Sequence, residues 1–160
     1  MIRARDLNAR RATAADLPAL LDLWGEYAEH HRRKDPIFAV ALNSRASWSR
    51  WMRKLLRSRK TRVFVAEVGG RLVGFCSAQI GLRPPVMKDR NFGAIFDFAV
   101  TRNSRRKGVG RRLFDECRKW FLQKGLRRLE LRVVPRNPQA AGFWRRMGFR
   151  PYVEVHFLEL

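Results

Sequence analysis

The chain has 160 residues, 46% of them apolar, with 35 basic against 14 acidic side chains and a formal net charge of +21. That size and apolar content suit one globular domain with a core of its own and exclude a disordered tail. No apolar run approaches the ~20 residues of a membrane span, and the amino-terminal MIRARDLN lacks the apolar centre of a signal peptide, so a soluble, cytoplasmic protein with no membrane partner is expected.

In chain order, residues 9–12 read as a short first strand. Thr13 and Asp16 have the spacing of a capping box, with Asp in place of the usual Glu. Leu17, Leu20, Leu21, Trp24, Tyr27 and Ala28 then recur at helical spacing to about His31. Trp48, Trp51, Met52, Leu55 and Leu56 mark a second amphipathic helix, whose other face carries Arg50, Arg53, Lys54 and Arg57. In TRVFVAEVGGRLVGFCSAQI two β-rich runs flank Gly69-Gly70, a hairpin signal. GLRPPVMKDRN reads as a loop and GAIFDFAV as a mostly buried strand. Val109, Leu113, Phe114, Cys117, Trp120 and Phe121 form a helical stripe closed by Gly125. RRLELRVV is a further strand. Pro138 opens a short helix behind an Asn137 cap, Gly148 ends it, and YVEVHFLEL alternates as a last strand. The order β-α-α-β-β-β-α-β-α-β, without repeat or linker, makes 1–160 a single α/β domain: a twisted mixed sheet with helices on both faces. Cys76 and Cys117 sit in apolar-patterned segments and read as buried thiols, outside any metal or redox spacing.

The junction between the strand ending near Val100 and the helix starting near Gly108 reads TRNSRRKGVGRRLF. A helix start directs free N–H groups and the positive end of the helix dipole at one spot, which makes an anion site. Gly108 and Gly110 lack Cβ atoms, so a phosphate can come close to the backbone. Arg105, Arg106, Lys107, Arg111 and Arg112 add positive charge, and a diphosphate suits the arrangement best. The stretch has neither the P-loop spacing nor a third glycine at Leu113.

IFDFAVTRNSRRKGVGRRLFDE resembles the acetyl-CoA signature of the GCN5-related N-acetyltransferase (GNAT) superfamily, a strand running into an R/Q-x-x-G-x-G/A turn and a long helix. NPQAAGFWRRMGF resembles that family's second motif, with Asn137, Ala140, Phe143, Gly148 and Phe149 at matching intervals. The resemblance implies a GNAT-like fold, acetyl-CoA as cosubstrate, and direct acetyl transfer from the thioester to a primary amine. It implies that Arg105 to Arg111, Val109 included, cradle the pyrophosphate. Pantetheine would lie against the strand edge at Phe98, Ala99 and Val100, with Asn137 near its arm and Phe143 beside the cofactor. Two positions depart from the pattern. Trp144 stands where many members place a Tyr that protonates the leaving thiolate, and indole is a donor far too weak as an acid for that; Trp144 would pack against the coenzyme instead. Arg132 stands where acetyltransferases of ribosomal-protein N-termini carry a Glu.

Asp97, in apolar company within IFDFAV, is the candidate general base, its carboxyl expected to be raised by desolvation; a structural, ion-paired carboxylate is the alternative. Glu130 and Arg132 share a strand face and are expected to pair. Glu29, His30, His31 and Asp35 follow the first helix where the resemblance puts the acceptor. His30-His31 reads as a solvated helix end, and no metal is expected. Two alternatives stand beside catalysis. One is an acyl-CoA-binding relative without activity. The other is a basic module, binding nucleic acid unspecifically or associated with the ribosome, through residues 45–62, which carry eight basic residues and no acid; there Trp48 and Trp51 sit opposite the basic face, as core residues would. The net charge favours an acidic amine acceptor, small molecule or protein, over a polycation. Dimerisation is common in the family, and no segment specifies a homodimer interface.

Overall fold

The computed structural model describes residues 6–158. Residues 1–5 of the amino-terminal stretch and residues 159–160 of the expected last strand lie outside the described residues. The elements are β1 (Leu7–Arg11), α1 (Leu17–Arg32), α2 (Ser44–Arg57), β2 (Thr61–Val68), β3 (Arg71–Leu82), β4 (Asn91–Val100), α3 (Val109–Gln123), β5 (Leu129–Leu131) and α4 (Pro138–Arg146). One sheet takes the five strands in chain order. Its pairs are antiparallel except β4 and β5, which run parallel across the α3 crossover.

Local chemistry sets the ends of these elements. The Thr13 N–H and hydroxyl donate to Asp16 Oδ2 at 2.7 and 3.2 Å, closing the expected capping box around a 3-10 turn ahead of α1. Asp16 also receives two 2.8 Å bonds from the Arg10 guanidinium. Gly69 and Gly70 both have positive φ, 56° and 76°, as a two-residue hairpin turn of matching twist requires. α3 stops where Gly125 N–H bonds Leu122 O at 2.9 Å and Leu126 N–H bonds Phe121 O at 3.0 Å, a Schellman closure.

Strand alternation divides the core between the two faces of the sheet. Leu113, Phe114, Cys117 and Phe121 of α3 pack on Phe64, Cys76, Ala78 and Ile95. On the opposite face Leu20 and Trp24 of α1, with Trp48 and Met52 of α2, pack on Val63, Val65 and Phe75. Trp48 is buried and stacks on Trp24 at 5.2 Å, while Trp51 stays partly exposed. Cys76 and Cys117 are buried free thiols. Among the described residues no helix is long and apolar enough to cross a membrane.

Two expectations need correction. The strand read over 127–134 shrinks to Leu129–Leu131. Residues 152–158, the described part of the expected last strand, form no regular element and make no backbone hydrogen bond among the described residues; Val155 and Phe157 are 71% and 75% exposed. Alternation says which side chains share a face. It does not supply the neighbour whose N–H and C=O groups complete a ladder.

Candidate active site

The site begins at a defect in β4. Ser77 of β3 opposes Asp97 and Ala78 opposes Ile95, so Phe96 is an extra residue, a β-bulge. Ile95 and Phe98 consequently face the α3 side together, and Ala99 faces α1. β5 pairs only with Gly93, Ala94 and Ile95, so the β5-side edge of β4 has no strand beside it from Phe96 onward. Thr101 N–H bonds Val73 O of β3 at 2.9 Å. The alternation of an antiparallel ladder then turns the backbone groups of Phe98 and Val100 to that open edge, with Ala99 facing β3. The Val100 carbonyl is already engaged, because Arg105 Nε donates to it at 2.9 Å.

β4 leads through Arg102–Ser104 to the basic glycine turn. The N–H groups of Arg106, Lys107, Gly108, Val109, Gly110 and Arg111 donate to no backbone or side-chain acceptor among the described residues. Arg112 N–H is the first to be satisfied, by Gly108 O at 3.0 Å. Arg106 and Gly108 both hold positive φ, 62° and 82°. Left-handed residues placed this way are the backbone form of a nest, a concave run of N–H groups suited to an anion, here at the start of α3. The two glycines serve different ends. A Cβ on Gly108 would meet nothing within 4 Å, so its φ is what requires glycine; one on Gly110 would stand 3.1 Å from the Phe143 ring. Arg105, expected among the anion-facing cations, instead folds back on Val100 and approaches Gln139 Oε1 at 3.4 Å.

A cleft of about 70 Å³ opens where β4 and β5 part. Asn137, Ala140 and Trp144 of α4 and its cap border it, with Phe96 and Phe98 from β4, Leu131 at the end of β5 and residues 132–134 after it. Asn137 Oδ1 accepts from Ala140 N–H at 3.2 Å and caps α4. Phe143 lies against Phe98, ring centres 5.4 Å apart. Trp144 is buried among Phe98, Phe114, Phe143 and Phe149 at 4.8 to 5.7 Å. It belongs to the floor of the cleft.

Asp97 sits at the bulge, where the Ser77 hydroxyl donates to its Oδ2 at 2.7 Å and accepts its N–H at 3.1 Å. No cation pairs with it in an ion bridge among the described residues. Burial pushes its carboxyl up, against weaker pulls from Ser77 and His31. Burial, helped by the Asp97 charge, also raises the Tyr27 hydroxyl. Tyr27 and His31, one turn apart on α1, line the cleft together. Their rings lie 4.2 Å apart, and His31 Nδ1 is 3.0 Å from the Tyr27 carbonyl. His31 is one of the residues expected beside the acceptor, and it does line the cleft; Tyr27 reads in the sequence only as a core position, and the signal available for it is its i, i+4 spacing to His31 on one helix.

The expected acceptor residues are distributed differently. Glu29 is taken up by Arg32 and Arg33, each at 2.7 Å, and is held down at about 2. Asp35 caps the Ile37 N–H at 3.1 Å and approaches Arg136 at 3.8 Å. Burial, then the nearby Arg105 charge, lowers the His30 imidazole. Glu130 does not pair with Arg132. Arg83 and Arg128 hold it instead, because Arg83 reaches across from the β3–β4 loop.

The acetyltransferase (GNAT) family model matches residues 17–149. The chain belongs to the GNAT family. An uncharacterized N-acetyltransferase of Methanocaldococcus jannaschii is 30% identical over 141 residues, covering 88% of this chain and 59% of the relative, so the chain spans little more than half that protein's length. The fold of a Bacillus halodurans protein, solved as a tetramutant, superposes with a TM-score of 0.83 at 20% identity over 96% of this chain and 99% of that one. The CoA complex of the aminoglycoside N-acetyltransferase AAC(6')-Iy gives a TM-score of 0.75 at 17% identity, covering 96% and 94%. An aminoglycoside acetyltransferase from an uncultured soil metagenomic sample, bound to sisomicin, gives 0.74 at 23%, covering 98% and 97%.

Within this GNAT domain a larger cavity, of about 450 Å³, lies between the start of α1 and the β2–β3 hairpin. Its acids are mostly spent: Asp16 and Glu67 bind Arg10, and Asp22 binds Arg45 at 3.0 Å. Its lining shares no residue with the cleft at Asn137 and only Thr101 with the segment that leads into the glycine turn. No cluster of three or more His, Cys, Asp or Glu side chains suited to a metal occurs among the described residues.

Proposed function

We propose that this single domain is an acetyl-CoA-dependent N-acetyltransferase acting on a primary amine. The observation that carries the reading is the run of N–H groups over 106–111 without a protein acceptor, in the turn that follows the unpaired end of β4. Arg106, Lys107, Gly108 and Arg111 are exposed, so these donors, left free by the turn and the helix start, are open to a ligand from solvent. A diphosphate would satisfy several at once, with Arg106, Lys107 and Arg111 supplying countercharge. The Phe98 backbone groups and the Val100 N–H would bind pantetheine as an added strand, while the Arg105 side chain keeps the Val100 carbonyl for the protein. Phe143 and Trp144 would form the wall beside the coenzyme, and the free amide nitrogen of Asn137 would turn to its arm. Bound there, acetyl-CoA supplies a thioester carbonyl open to an amine.

Asp97 would act as the proton acceptor. A carboxyl raised by burial is a stronger base than an ordinary one, and a neutral Ser77 donor holds it without neutralising its charge. Trp144 gives no acid for the leaving thiolate; a free thiol has a pKa of about 8.5, so solvent and backbone donors suffice. Titration calorimetry with acetyl-CoA and with CoA tests the reading directly. Saturable binding that weakens when Arg106, Lys107 and Arg111 are changed to Ala is the expected result; no binding by the intact chain would overturn it.

A further inference from the structure

The acceptor side of the cleft has a composition that narrows its substrate. No aspartate or glutamate lines the cleft. Three carboxylates close to its lining in sequence are engaged: Glu29 by Arg32 and Arg33, Asp35 by a backbone N–H and Arg136, Glu130 by Arg83 and Arg128. Asp97, set behind the lining, is the one carboxylate there with only a neutral partner. The walls are apolar, with Phe96 turned out by the bulge to 55% exposure and Leu131 and Val133 opposite. Arg132 lies between those two. It is exposed and forms no ion pair or side-chain hydrogen bond among the described residues.

A polyammonium acceptor would therefore meet an arginine and no lining carboxylate, in a chain of net charge +21. A zwitterion carries no net charge for that field to repel. An unpaired guanidinium beside apolar side chains is suited to a carboxylate attached to an apolar body, since arginine binds carboxylates through paired, charge-assisted hydrogen bonds.

We propose, resting on the transferase reading above, that the acceptor is a small zwitterionic monoamine with an apolar body, the class of the aliphatic and aromatic α-amino acids. Arg132 holds its carboxylate, Phe96 and Val133 border its side chain, and its nitrogen is left toward Asp97. The ammonium group first gives one proton to solvent. The nitrogen lone pair then forms a C–N bond to the thioester carbonyl carbon, and the C–S bond breaks with its electron pair staying on sulfur. A second proton passes from nitrogen to Asp97, which later returns it to solvent, and the thiolate takes one from solvent. The products are an N-acetyl amino acid and CoA thiol.

The test is thiol release by the full chain with acetyl-CoA and a panel of acceptors: L-phenylalanine, phenethylamine (the same body without the carboxylate), glycine (the carboxylate without the body), spermidine and kanamycin. L-Phenylalanine is expected to exceed phenethylamine and glycine in kcat/KM by about tenfold or more, the scale of one charge-assisted contact. Arg132→Ala should collapse the phenylalanine-to-phenethylamine ratio through KM, and Arg132→Lys should restore part of it. Preference for spermidine or kanamycin would overturn the acceptor class, as would an unchanged ratio in Arg132→Ala, or no turnover of any amino acid by a chain that binds acetyl-CoA. Calorimetry separates that failure from the deeper one: a chain that binds no acetyl-CoA overturns the transferase reading itself.

Discussion

Changing Gly108 to alanine isolates the conformational requirement of the anion turn. Its φ of +82° lies in the left-handed region, and an added Cβ meets no atom within 4 Å. The cost is therefore the backbone preference of an L-residue, roughly 1–2 kcal/mol, with no steric part. In a domain of this size each kcal/mol shifts Tm by about 2–4 °C, so a Tm lower by roughly 2–8 °C is expected if the turn is kept. If the turn relaxes instead, Arg106 to Arg111 no longer aim their N–H groups together. Then acetyl-CoA affinity falls and Tm recovers. Gly110→Ala is the contrasting control. Gly110 is helical with ordinary φ, and its Cβ would press on Phe143 at 3.1 and 3.3 Å. A small ring displacement offsets the gain in helix propensity of about 0.5–1 kcal/mol, leaving stability within about 1 kcal/mol of the parent. Gly108→Asn should recover part of the loss, because asparagine enters the left-handed region more readily. Thermal melts and calorimetry on the three variants decide it. A Gly108→Ala protein that keeps both its Tm and its affinity would refute the reasoning.

Three further outcomes follow from the cited geometry. Asp97→Asn should remove the acidic limb of the kcat/KM–pH profile, which lies above the ordinary carboxylate range of about 3.9 because a base must be unprotonated and burial raises this one; the rate should fall by about 10²- to 10⁴-fold. The same raised carboxyl favours folding less as pH climbs through its folded pKa, so the variant should keep its neutral-pH stability in urea melts. Asp16, held down to about 2 chiefly by hydrogen bonds from Arg10, contributes stability above its ordinary 3.8 that is lost as pH falls through about 2; Asp16→Asn should cost about 1–2 kcal/mol at pH 7, discounted for the partly exposed Arg10, and almost nothing near pH 2. Trp144→Tyr should lower stability by about 1–2 kcal/mol without raising kcat, because the position faces four phenylalanines in place of a leaving group; a faster enzyme would show that the new hydroxyl reaches the sulfur.

What the sequence discloses about this fold depends on whether a feature is local. The stripe from Val109 to Phe121, its Gly125 stop and the Asn137 cap are set by residues a few positions apart, and each is found where the spacing predicts. The unpaired state of the 106–111 amides follows from the same helix start. The bulge at Phe96 is different. IFDFAV alternates plausibly in either register, and only the pairing with Ser77 and Ala78 shows which residue is extra. Arg83 reaching Glu130 depends on a loop folding over a distant strand, so the nearer Arg132 was the natural expectation. Residues 152–158 have a strand's pattern without a partner to pair with among the described residues.

The bulge ties these parts to one another. In a regular β4, residues 96–100 would keep the alternation of 91–95 and could go on pairing with a parallel β5, whose carbonyls and amides would fill the edge. The extra residue at Phe96 twists the strand away, and the β5 ladder stops at Ile95. That single insertion opens the edge at Phe98 and Val100, turns an aromatic side chain outward, and brings Asp97 onto the Ser77 hydroxyl facing α1. The proposed cofactor surface, acceptor wall and proton acceptor would thus share one structural cause. Deleting one residue between Ile95 and Phe98 would restore regular pairing, and it should abolish coenzyme binding and turnover together while the α3 core persists.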